Sequence, residues 1–145
     1  MKRFTQCVCI LLVMAIFVTT PAFATETGKE RASNFFAASS VYLWKISDTQ
    51  FQVWFEVTAV STMQELGTSI IKVQRSTDKE DWETVATYTK ADYSQMIGKN
   101  TVHHSDCVTY TYTEGYYYRA YVLLYAKNST GTAEYTRYTS SLDLR

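Results

Sequence analysis

Cysteine, proline and glycine are all scarce, at 3, 1 and 5 residues in a chain of 145. Cys7, Cys9 and Pro21 fall within the first 24 residues, so the remainder has one thiol, Cys107, and no proline. A domain with one cysteine cannot be stapled by an internal disulfide, and its core must hold it together. Charge of one sign is also missing: 14 Lys and Arg stand against 14 Asp and Glu. Nucleic acid and acidic membrane surfaces are therefore poor partners, because neither meets a basic footprint. Charged residues make up only 19%, whereas aromatics reach 15% with 12 tyrosines. Such a chain has too much apolar and aromatic surface to stay disordered. Its length fits one ordinary domain.

The one long apolar run sits at the start. Lys2 and Arg3 precede Val8–Val18, Thr19-Thr20-Pro21 breaks the run, and Ala22-Phe23-Ala24 places small residues two apart. This order of basic, apolar and small-x-small regions reads as a secretory signal peptide over residues 1–24, cleaved after Ala24. The run is too short to cross ~30 Å of hydrocarbon as a helix. Cleavage removes Lys2 and Arg3, taking the basic count from 14 to 12 against 14 acidic residues. The expected product is a secreted, extracellular protein without a membrane anchor. Residues 25–38 read as a flexible leader, although Asn34–Ala38 fits either a short helix or a first strand.

From Ser39 the hydrophobic period is two. Val41 and Leu43 alternate with Tyr42, Trp44 and Ile46, and Ser47–Gln50 reads as a turn. Phe51, Val53, Phe55, Val57 and Ala59 share one face of the next strand, against Gln52, Trp54, Glu56 and Thr58. Ser61–Thr68 reads as a polar loop. Ile70–Arg75 and Trp82–Tyr88 form a hairpin around a charged turn. Thr89–Gly98 fits a short helix or an irregular connection. Val108–Tyr112, Tyr116–Lys127 and Thr132–Leu142 complete the pattern, with turns at Glu114-Gly115 and Asn128–Gly131. About seven strands with short polar turns predict an all-β fold, an antiparallel β-sandwich over residues 39–145.

Several of these residues resemble fibronectin type III-like and immunoglobulin-like domains. Ile71–Asp78 with Trp82 and Val85 resembles the middle hairpin of such a domain. Val122, Leu124, Ala126, Asn128 and Gly131 resemble its closing strand and turn, and Gly115 and Tyr118 the turn glycine and tyrosine that open that strand. Between Tyr118 and Ala126 the chain has two residues more than the family pattern, which a bulge would absorb. The resemblance implies an extracellular binding or spacer module without shared catalytic residues. The whole chain, a signal and one domain, also resembles small secreted proteins of Gram-positive bacteria.

Two constellations compete as sites. With Tyr118, Ala120, Val122, Leu124 and Ala126 facing the core, Tyr117, Arg119, Tyr121, Leu123 and Tyr125 face outward. Tyr117, Tyr121 and Tyr125 then span about 26 Å, a row able to stack on sugar rings or a protein partner, with Trp54 extending it. Tyrosines also pair routinely across strands, and a central strand could be covered. The other constellation is His103, His104, Asp106 and Cys107, all metal-binding types. Alternation sends His104 and Asp106 one way and His103 and Cys107 the other, leaving too few ligands per face. No Gly-x-Ser-x-Gly elbow is present. No metal or cofactor and no enzymatic activity are expected.

The reading is a non-catalytic extracellular interaction or surface-associated module acting through Tyr117, Arg119, Tyr121, Tyr125 and Trp54. Its partner would be an extracellular protein or glycan. A carbohydrate-binding module on the same tyrosines is the first alternative. A small secreted hydrolase or metal-binding protein built on His103, His104, Asp106 and Cys107 is the second. A disulfide dimer through Cys107 is a further expectation.

Overall fold

A computed structural model describes residues 34–145. The expected signal peptide, residues 1–24, and residues 25–33 of the expected leader lie outside the described residues. Seven strands follow in order: β1 (Phe36–Lys45), β2 (Gln50–Ser76), β3 (Glu83–Thr89), β4 (Ile97–Thr111), β5 (Tyr116–Asn128), β6 (Gly131–Tyr138) and β7 (Leu142–Leu144). All pairings are antiparallel, and the fold is an all-β antiparallel sandwich. β1 begins ahead of the boundary expected at Ser39, because Phe36 and Ala38 already pair with Ala59 and Thr58 of β2. Phe36–Ala38 therefore belongs to the sandwich and not to the leader.

β2 organises both layers. Its first half, Phe51–Ala59, lies between β1 and the His103–Tyr110 part of β4. Its second half, Glu65–Ser76, lies beside β5 on one edge. On the other edge it meets Ile97–Lys99 of β4 and then β3. β6 and β7 pair with the free edge of β5. One layer is thus β1–β2–β4 and the facing layer is β3–β2–β5–β6. The strand crosses between them after Thr58, where Ala59–Thr62 intervenes between the pairs Thr58–His103 and Met63–Thr101. Ser61–Thr68 is therefore strand, not the loop that its polar composition suggests.

Alternation puts the core between these layers. Phe51, Val53, Phe55 and Val57 of β2 are fully buried, and so are Tyr118, Ala120, Val122, Leu124 and Ala126 of β5. The two rows meet directly, with the Phe51 and Tyr118 rings 5.4 Å apart. Burial of each large apolar side chain contributes about 1.5–3 kcal/mol, which lets the fold dispense with a disulfide. Of the two readings of Thr89–Gly98, the irregular connection is the one found: a turn followed by one 3-10 turn, Ser94–Met96, which drops Met96 into the core. Gly67 makes room for it: a Cβ there would run into the Met96 carbonyl oxygen. The final strand expected over Thr132–Leu142 is split into β6 and β7. At the break the Thr139 hydroxyl accepts the Ala120 N–H at 2.9 Å, replacing a ladder bond.

The approach to β5 is fixed by Tyr118. Its hydroxyl accepts the Thr113 N–H at 3.1 Å and donates to the Thr113 carbonyl at 2.9 Å. Gly115, at φ +98°, makes the intervening turn, and its N–H donates to the Leu144 carbonyl at 2.9 Å. Tyr118→Phe keeps the ring and removes both hydroxyl bonds. It should lower unfolding free energy by about 1–3 kcal/mol at unchanged m-value in urea titration. An unshifted midpoint would show that the corner carries no load.

Candidate functional site

The outer face of β5 is where sequence placed an open row of tyrosines. Alternation does send Tyr117, Arg119, Tyr121 and Tyr125 to this face, but β5 is a central strand and its neighbours cover it. Tyr117 and Tyr125 are each only 9% exposed. Lys79 and Arg145 lie over the Tyr117 ring, 4.3 and 4.1 Å from its centre. Lys90 lies 3.4 Å above Tyr125, and the Glu65 carboxylate is 3.8 Å from the same ammonium. A hydrogen bond from Lys99 and the nearby charges of Lys99 and Lys90 hold the Glu65 carboxyl below its usual range. Arg119 is sandwiched between Trp82 and Tyr138, and Tyr138 also meets Tyr121 edge to face at 5.4 Å. Each ring has its own cation or aromatic neighbour, and each cation–ring pair is worth about 0.5–2 kcal/mol according to its exposure. The expected open stacking row is thus a paired ladder that joins β2, β3, β5, β6 and the C-terminus, buried at Tyr117 and Tyr125, half-buried at Arg119 and Tyr121, and exposed at Tyr138.

Trp54 is on the other layer, so the structure does not bring it together with Tyr117, Arg119, Tyr121 and Tyr125. It points outward from β2 and forms an offset pair with Tyr42 of β1, ring centres 6.3 Å apart and planes 6° from parallel. Register places Tyr42 opposite Trp54 and Trp44 opposite Gln52, so all three aromatics share one face. The Trp54 indole N–H donates to the Gln52 side chain at 3.0 Å, which fixes the ring. Tyr42 is 45% and Trp44 60% exposed. Unlike the β5 tyrosines, Tyr42 and Trp44 carry no cation above them among the described residues. Neither was among the residues expected to bind. Their signal was the two-residue period of Tyr42, Trp44 and Ile46, which lacked only the register that aligns it with Trp54.

Neutral hydrogen-bonding groups flank this strip. Gln50 and Gln52 of β2 reach Thr111 and Thr109 of β4 through side-chain bonds of 3.3 and 3.5 Å. In the opposite direction along the strands the face sinks into a depression of about 210 Å³ lined by Ala38, Ser39, Ser40, Glu56 and Thr58. His103 borders it, its Nδ1 3.2 Å from the Thr58 hydroxyl and its Nε2 3.7 Å from the Glu56 carboxylate. Aromatic rings therefore adjoin hydroxyl, amide and carboxylate groups on one face.

The His103–Cys107 run divides by alternation. His103 pairs with Thr58 and Cys107 with Trp54 on the outer face, while His104 and Asp106 pair with Val57 and Phe55 on the inner one. His104 packs on the Phe55 ring at 5.7 Å and donates through Nε2 to the Gln95 carbonyl at 2.9 Å. Asp106 accepts the Cys107 N–H at 2.7 Å. Burial, followed by the adjacent Asp106 charge, pushes the Cys107 thiol above its ordinary value. Among the described residues no three His, Cys, Asp or Glu side chains converge as a metal site.

No family model matches this chain, and no curated protein does.

The two aromatic faces should respond differently to truncation. Trp44→Ala should change unfolding free energy by less than about 0.5 kcal/mol, as for an exposed surface side chain. Tyr125→Ala removes a buried ring and strands Lys90, and should cost about 2 kcal/mol or more in the same urea titration. Equal losses at both positions would contradict the division into a structural and a free face.

Proposed function

We propose that this chain is a secreted, non-catalytic recognition module, built on a fibronectin type III-like or immunoglobulin-like sandwich. It meets its partner through the outer face of the β1–β2–β4 layer. Secretion rests on the basic, apolar and small-x-small order of residues 1–24. The sandwich class draws support from the division into β1–β2–β4 against β3–β2–β5–β6. It draws further support from the Tyr118 corner, since a tyrosine bonding back to upstream backbone at the start of a late strand marks such domains.

The observation that carries the reading is the exposure of Tyr42 and Trp44 beside the anchored Trp54. Large aromatics left open on a flat, rigid sheet are costly in solubility and typical of interaction surfaces. The Cys107 thiol lacks what a nucleophile needs, a lowered pKa and a base aimed at it, which favours recognition over catalysis. Cys107 also sits beside Trp54, so a disulfide dimer would lay a second copy over the recognition face. The binding form is therefore the monomer with a reduced thiol.

The test begins with the full chain expressed in its own cells. The protein recovered from the medium should have a mass that starts at Thr25, and it should be retained by intact producing cells. Trp44→Ala combined with Trp54→Ala should abolish retention while leaving the thermal transition in place. A product that stays in the cell would overturn secretion. Retention indifferent to both tryptophans would overturn the assigned face.

A further inference from the structure

The chemistry of the β1–β2–β4 face discriminates between partner classes. An apolar helix of a partner protein would need a continuous greasy groove, whereas here Tyr42, Trp44 and Trp54 are interrupted by the Gln52 amide and bordered by threonine hydroxyls. An anionic ligand would need free cations, yet Lys45, next to Trp44 in the chain, is turned to Asp48 at 3.4 Å and to the Tyr112 ring at 5.9 Å, and the Arg137 guanidinium is taken up by the Ser39 hydroxyl and carbonyl at 3.1 and 3.0 Å. A carboxylate, Glu56, stands in the depression instead. Fixed aromatic rings beside neutral donors and acceptors, with one carboxylate to accept hydroxyl protons, match a neutral glycan. Its rings offer apolar C–H faces and its edges offer hydroxyl groups.

We propose that the partner is a neutral, pyranose-based glycan of the producing cell's own envelope. It runs along β1 and β2 from Trp44 over Trp54 and Tyr42 into the Ser40–Glu56–Thr58 depression. Successive same-face residues on a strand lie about 6.5–7 Å apart, so Trp44 and Tyr42 can each take a separate sugar ring. Tyr42 and Trp54, 6.3 Å apart across the strands, widen the platform under one of them. The Glu56 carboxylate and the Ser40 and Thr58 hydroxyls then bind the next ring by its edge. The envelope is the source because, on the secretion proposed above, the chain passes through the coat of its own cell. This assignment rests on the recognition reading above.

The experiment measures retention of the secreted full chain on an envelope fraction from producing cells, left untreated, oxidised with periodate, or digested with protease. Periodate cleaves the vicinal diols of sugars and spares the peptide backbone. Retention should be abolished by periodate and survive protease. Trp44→Ala and Trp54→Ala should each weaken binding about two- to tenfold, as for loss of one stacking contact. Glu56→Gln should also weaken it, without shifting the thermal transition. Retention abolished by protease and indifferent to periodate would overturn the glycan assignment and leave the recognition reading standing. No retention on the untreated fraction would overturn both.

Discussion

The structure depends on one continuous strand that has to serve two facing layers. β2 runs from Gln50 to Ser76, and its inward residues must be apolar on both sides of the crossing. Before the crossing these are Phe51, Val53, Phe55 and Val57; after it they are Leu66, Ile71 and Val73. Inward parity changes from odd to even between Met63 and Leu66, as the strand passes to the opposite layer. It returns to odd through the register shift between Thr68 and Ile70. β1 and β4 dock on its first half and β3 and β5 on its second, with β6 and β7 carried on β5. Cys107 is the one cysteine among the described residues and is free, so that shared core is what keeps the layers together.

The same constraint sorts the aromatic residues into two kinds. The second half of β2 brings Lys72 and Arg75 beside β5, and the β2–β3 turn adds Lys79, so the tyrosines of β5 acquire cations. The first half of β2 offers Gln52, Trp54 and Glu56 instead, and β1 adds Tyr42 and Trp44 with no cation above them among the described residues. One sandwich therefore has an outer face whose Tyr117 and Tyr125 are covered by cation–aromatic pairing, with Tyr138 left exposed on β6, and another whose Tyr42 and Trp44 stay open. The distinction comes from the neighbours each strand receives and not from the aromatic residues themselves.

Period-two alternation made most of the fold legible in the sequence. Phe51–Ala59 and Tyr118–Ala126 have the inward faces their patterns predict, and the strand count agrees. The crossing was illegible because it breaks the period: Met63 and Leu66 are three apart, and Ser61, Thr62, Gln64 and Glu65 look like loop residues. The 3-10 turn at Ser94–Met96 was hidden for a related reason, since a single buried Met96 leaves no helical stripe. For the site, the direction of each side chain was legible and its cover was not. Tyr117 and Tyr125 point where alternation sends them, but Lys79, Lys90 and Arg145 come from other parts of the chain. Trp54 was singled out correctly as outward-facing, yet its neighbours Tyr42 and Trp44 depend on the β1–β2 register, which composition does not encode.

The division between the buried tyrosines of β5 and the exposed Tyr42 and Trp44 of β1 is open to direct measurement. Hydroxyl-radical footprinting of the folded protein, read by peptide mass spectrometry, measures side-chain accessibility at each of these positions at once. This division predicts fast labelling of Trp44 and Tyr42, with Tyr117, Tyr118 and Tyr125 protected until the chain is unfolded. Labelling of Tyr117 and Tyr125 at the rate of Trp44 would contradict it.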